Sequence, residues 1–156
     1  MQERSCCFIG HRQINETEEL KIRLRQAVEK LITDSNIDTF LFGSKSAFDS
    51  LCWEVVTDLK EKYPYIQRIY VRAEFPYIHK DYTDYLLESY EQTYYPQKLL
   101  GSGRAAYVQR NYEMINKSLF CVFYYNKDSF PATRKSGTKI ALGYAMKQGK
   151  EIVLFP

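Results

Sequence analysis

Short apolar runs alternate with longer stretches in which apolar positions recur every three or four residues, the pattern that βαβ units produce. The first run, residues 5–9, predicts a strand. Leu20, Leu24, Val28, Leu31 and Ile32 then mark one face of a helix, with Asn15 as the expected N-cap and Glu18 as its capping partner. Thr39–Phe42 predicts a second strand. Phe48, Leu51, Cys52, Val55, Val56 and Leu59 form the stripe of a second helix, which Pro64 ends. Gln67–Val71, rich in β-branched and aromatic residues, predicts the third strand. Residues 72–103 are irregular, with Pro76, Pro96, a turn at Gly101-Ser102-Gly103 and one short helix near residues 82–90. A helix over 105–116, a strand over 119–125, a polar and basic loop over 126–137 and a helix over 138–148 follow. Gly149 stops that helix, and Glu151–Phe155 is the last strand.

Five strands joined by helical crossovers predict an α/β fold. The expected form is a Rossmann-like three-layer sandwich around an open, mainly parallel five-stranded sheet of order 3-2-1-4-5. A length of 156 residues suits one domain with one core, spanning 1–156. Ligands of such sheets bind outside the carboxyl ends of the strands, beside the point where the strand order reverses. The loops after strands one, two and four are therefore the candidate site.

After strand one come Gly10, His11 and Arg12, a glycine that lets backbone approach a ligand and two basic side chains. After strand two come Gly43, Ser44, Lys45, Ser46 and Asp49. The stretch lacks the spacing of a phosphate-binding P-loop, and Ser46 and Asp49 are also natural capping groups for the helix that follows. After strand four, Arg134, Lys135, Ser136, Gly137 and Thr138 lead into a helix. Its unpaired N–H groups and positive dipole end favour an anion, and nearby cations reinforce them. The first helix starts with Glu16, Glu18 and Glu19, which repel a phosphate, so the fourth loop is the expected phosphate site.

Composition narrows the classes. Formal net charge is +3, too small to demand nucleic acid or membrane as a partner. Residues 1–5 are polar and the apolar run after them is far shorter than a signal-peptide core, so a cytoplasmic location and no membrane partner are expected. Four cysteines, two of them adjacent, do not form a disulfide framework. Cys6 and Cys7 point to opposite faces of a strand and cannot easily share an ion with His11, so no metal and no cofactor are expected. The 14 tyrosines and 9 phenylalanines are the unusual feature. Most suit half-buried packing with the hydroxyl at the surface. Those of residues 77–95 are expected either to meet another subunit, making a homo-oligomer, or to form a lid.

Taken together, Phe8-Ile9-Gly10-His11-Arg12, Phe42-Gly43-Ser44 with Phe48-Asp49, Arg110-Asn111 with Met114-Ile115, and Ser136-Gly137-Thr138 with Ala141 resemble the SLOG superfamily. This superfamily includes the DNA-processing protein DprA and the cytokinin-activating LOG enzymes. The YpsA-like branch is the most similar, and Tyr144-Ala145 and Lys150-Glu151-Ile152 also fit it. The resemblance implies a Rossmann-like fold with a pocket for a nucleotide or nucleotide derivative. It also implies a ligand role for Arg110 and Asn111, because LOG enzymes carry an arginine ahead of a methionine in this helix. Two departures bear on activity. Ala141 stands where LOG enzymes carry a catalytic glutamate, which argues against their N-glycosidic hydrolysis. The stretch from Gly43 to Phe48 is also poorer in glycine than in YpsA-like proteins.

Three functions follow, in order of preference. The first is a module that binds or senses a nucleotide or nucleotide-derived phosphorylated ligand. The second is an enzyme acting on a nucleotide or ribosyl phosphate, with Arg110 on phosphate and a relocated acid, Asp49 or Glu54. The third is single-stranded nucleic-acid binding, with Arg104, Arg110, Arg134 and exposed tyrosines as a basic stacking path.

Overall fold

The computed structural model describes residues 2–129 and 136–156, and the side chains of Gln2 and Ser129 are not among the described atoms. Strands β1 (Ser5–Gly10), β2 (Thr39–Phe42), β3 (Gln67–Val71), β4 (Gln92–Tyr94), β5 (Phe120–Tyr124) and β6 (Glu151–Phe155) form one sheet of order β4-β3-β2-β1-β5-β6. Every adjacent pair is parallel, as right-handed helical crossovers require. The five expected strands take the expected order.

The sixth strand, β4, corrects the strand count. It is three residues long and half-exposed, too short to carry a period of two. Long-range pairing holds it. Ile69, Tyr70 and Val71 of β3 register with Gln92, Thr93 and Tyr94, and Glu91 accepts from Arg68 through both carboxylate oxygens, at 3.0 and 2.6 Å. β3 is therefore an internal strand rather than an edge.

Helices cover both faces. Along β1, successive side chains alternate between two cores: Cys6 and Phe8 enter one, Cys7 and Ile9 the other. The first core is completed by α1 (Glu18–Asp34) and α2 (Ala47–Lys62), whose buried stripes are those read from the sequence. The second is completed by α4 (Ala106–Asn116) and α5 (Gly137–Lys147), which contribute Met114, Ile115, Ala141 and Ala145. The short α3 (Lys80–Leu87) lies beside β4 with Leu86 buried, and the Trp53 indole of α2 donates to the Ser89 carbonyl at 3.0 Å.

The N-cap of α1 is Thr17, not Asn15: its hydroxyl accepts from the Leu20 N–H at 3.1 Å. Thr17 immediately precedes the first helical residue, where a side-chain oxygen can reach the unpaired N–H groups, whereas Asn15 lies too far upstream. Among the described residues no helix is long and apolar enough to cross a membrane.

Candidate functional site

Two glycines let the strand ends and the helices approach each other. A Cβ on Gly10, at the end of β1, would lie 2.4 Å from Cδ2 of the buried Phe48. A Cβ on Gly43, just after β2, would lie 2.6 Å from both Cδ of Arg110 and Sδ of Met114. Side chains larger than hydrogen are thereby excluded from the floor of an open cleft of about 1050 Å³. The cleft lies outside the carboxyl ends of β1, β2 and β3 and reaches the start of α5, where the sheet topology puts a ligand site.

Most of the expected residues meet there. Gly10, His11 and Arg12 line it from β1; Gly43, Ser44, Lys45 and Ser46 from β2; Arg110 and Asn111 from α4; and Ser136, Gly137 and Thr138 from α5. Ser136 is the N-cap of α5, accepting from the Lys139 N–H at 3.0 Å, so the first turn of this helix opens on the cleft. Arg134 and Lys135 lie outside the described residues.

Arg110 is the central charge. It is 5% exposed, and its guanidinium donates to the Gly43 carbonyl and, at 3.1 Å, to Oδ1 of Asn111. The Tyr107 ring lies under it at 5.7 Å. Both hydrogen-bond acceptors are neutral, so among the described residues no carboxylate is hydrogen-bonded to this buried cation, although the Asp49 charge acts on it across the loop. A guanidinium has further N–H donors, which are available to an acceptor in the cleft. Burial lowers the Arg110 pKa, yet an arginine stays charged across the physiological range.

Asp49 sits on the other side of Gly43. Ser46 caps α2, accepting from the Asp49 N–H at 3.1 Å, while Oδ2 of Asp49 reaches back to the Gly43 and Ser44 N–H groups at 3.2 and 2.9 Å. The carboxylate thus ties down the loop rather than capping the helix, and Asp49 is not a lining residue of the cleft. Its Oδ1 is buried and has no hydrogen-bond partner among the described residues. Burial pushes its pKa up to about 6, against the pull of the two backbone donors and the Arg110 charge. Asp49, the loop at Gly43 and Arg110 form one chain of contacts in which the carboxylate positions the loop and the loop positions the guanidinium.

His11 is buried, and its Nε2 accepts from the Asn126 N–H at 2.9 Å. Burial holds its pKa below the ordinary histidine value. An imidazole that accepts at Nε2 carries its proton on Nδ1, so His11 joins the ends of β1 and β5 as a neutral group.

The positions of Glu54 and Ala141 bear on the expected acids. Glu54 lies on the outer face of α2, half-exposed and 3.7 Å from Lys21 of α1; it does not line the cleft. Its place in the helical period puts it opposite the buried stripe. Ala141 is 1% exposed and packs in the apolar core below α5, so this position does not face the cleft.

The cleft also has a wall that the sequence reading missed, built from Tyr70, Arg72, Glu74, Phe75, Tyr82 and Tyr107. Four of these, Tyr70, Arg72, Glu74 and Phe75, come from β3 and the segment after it, outside the loops after strands one, two and four that the switch point singles out. A strand-end arginine flanked by aromatics, Tyr70-Val71-Arg72, was the available signal. The aromatic stretch of residues 77–95 divides: Tyr82 lines the cleft, Tyr90 packs on Phe42 and Tyr70, and Tyr77 and Tyr85 are exposed.

No protein-family model matches this chain, and no curated protein matches it significantly.

Proposed function

We propose that the cleft binds a nucleotide or nucleotide-derived phosphorylated ligand and that the chain acts as a binding or sensing module. One observation carries the reading: a buried guanidinium, Arg110, that is held by neutral acceptors and faces a cleft able to admit an anion. Asp49 offsets part of this charge from across the Gly43 loop, but a buried cation without a carboxylate hydrogen-bonded to it still favours a ligand phosphate as counter-ion. The first turn of α5 supplies backbone N–H groups and a positive dipole end to the same space. Tyrosines on the β3 side give a flat base a surface to stack on. The resemblance to the SLOG superfamily supports the same ligand class.

The binding reading is preferred to an enzyme because the two candidate acids are poorly situated. Asp49 is engaged by the loop backbone, and Glu54 is on the outer surface.

The test is to denature the purified protein and identify released small molecules by mass spectrometry, then to titrate the ligand found by calorimetry. A phosphorylated nucleotide derivative is expected. Arg110→Ala should weaken its binding by about 1.5–3 kcal/mol, and Arg110→Lys should recover only part because the planar fork is lost. Unchanged affinity in Arg110→Ala overturns the phosphate role. Release of free base from nucleoside monophosphates by the wild type would put the enzyme reading first.

A further inference from the structure

Arg72 follows directly on β3, and its backbone N–H donates to the Tyr94 carbonyl at 2.8 Å, which pins it to the end of the sheet. Its environment contrasts with that of Arg68 on the same strand. Arg68 is fully engaged: Nε and Nη2 hold Glu91 at 3.0 and 2.6 Å, and Nη1 donates to the Thr57 hydroxyl at 3.0 Å. The Arg72 side chain makes no hydrogen bond or ion pair with any described residue, and its Nε is buried without an acceptor. Glu74, the nearest carboxylate along the chain, accepts instead from the Tyr107 hydroxyl at 3.2 Å.

A buried donor without a partner costs free energy and calls for an explanation. Arg72 lines the same cleft as Arg110, beside Tyr70 and Tyr82, whose hydroxyls are further donors. At about 1050 Å³ the cleft stands at the upper end of ordinary small-molecule sites, leaving space beyond one phosphate and one nucleoside.

We propose that Arg72 is a second anion-binding station of the cleft, separate from the one formed by Arg110 and the start of α5, and that the ligand is a nucleotide carrying at least two phosphate groups. The inference rests on the nucleotide reading for the identity of the ligand but not for the anion station itself. A guanidinium presents a planar fork of donors matched to phosphate oxygens, so Arg72 and Arg110 would each hold one phosphate.

Four probes test this by calorimetry on the full chain: phosphate, pyrophosphate, adenosine monophosphate and adenosine diphosphate. The wild type is expected to bind pyrophosphate and adenosine diphosphate at least tenfold more tightly than the matching single-phosphate probe. Arg72→Ala should bring each ratio to within about twofold, and Arg72→Lys should restore part of it, with thermal melting showing that both variants fold. Equal affinities for the one- and two-phosphate probes in the wild type overturn the proposal, as does an unchanged ratio in Arg72→Ala. If only the inorganic pair shows the preference and its loss in Arg72→Ala, the second station stands and the nucleotide reading fails. No binding of any probe overturns both.

Discussion

Asp49 stores a pH dependence that its position makes measurable. The carboxyl is 3% exposed and its pKa is pushed up to about 6, while in the unfolded chain it returns to its ordinary value. A group whose folded pKa is raised adds stability below its unfolded pKa and loses it as pH rises through the folded one. Acidification from above pH 6 to below about pH 4 should therefore stabilise the wild type relative to Asp49→Asn, by up to about 3 kcal/mol. Urea unfolding of both proteins across that range checks this; a difference that stays flat refutes the burial of an ionisable Asp49. At the neighbouring position, Gly43→Ala drives a methyl group into Arg110 and Met114, both buried. Overpacking of this kind costs about 1–3 kcal/mol, and the displaced guanidinium should also bind ligand more weakly. Denaturant midpoints and ligand titration read the two effects separately.

Elements meet the cleft through their ends, so end chemistry couples stability to binding. Ser136→Ala removes the oxygen that accepts from the Lys139 N–H at the start of α5. The loss should cost about 1 kcal/mol of stability, measured by denaturant unfolding, and should weaken phosphate binding because the first turn frays. A drop in stability with unchanged phosphate affinity would detach α5 from the anion site. At the other end of the cleft, β1 runs into α2 at Gly10. Phe48 is 0% exposed and cannot yield, so Gly10→Ala should destabilise by about 1–3 kcal/mol in the same assay.

For the molecule as a whole, the charge distribution bears on the choice between a small ligand and a polymer. Net charge is +3, and of the arginines expected on a nucleic-acid path Arg110 is buried, while Arg134 lies outside the described residues. Arg104 is exposed in the 3₁₀ turn Gly103–Ala105, before α4. A labelled single-stranded oligonucleotide should therefore bind only weakly by fluorescence anisotropy at physiological salt, with residual binding lost as salt rises. Tight binding with a steep salt slope would favour the nucleic-acid reading instead. Tyr77, Tyr85 and Leu87 are exposed in the 77–95 stretch, where either a subunit contact or a lid is expected from the sequence.

Strands, helices and sheet order were legible in the chain because they rest on local periods and on the handedness of crossovers. The alternation Cys6-Cys7-Phe8-Ile9 divides the two cores, and the stripe from Leu20 to Ile32 selects the buried face of α1. Gly10, Gly43 and Ser136 were legible for a related reason: backbone approach and helix capping select residue types at strand and helix ends. Contacts between distant segments decided the rest. Arg110 and Gly43 are 67 residues apart, and only the packing of α4 over the end of β2 makes one the donor to the other. Strand β4 exists because β3 and Glu91 hold it, and it makes the end of β3, with Arg72, a wall of the cleft. Asp49 reads as a helix cap along the chain and becomes a buried loop anchor once the strand end folds over it. A side chain's period records which face it occupies, but its partners and its charge state depend on what the fold brings against that face.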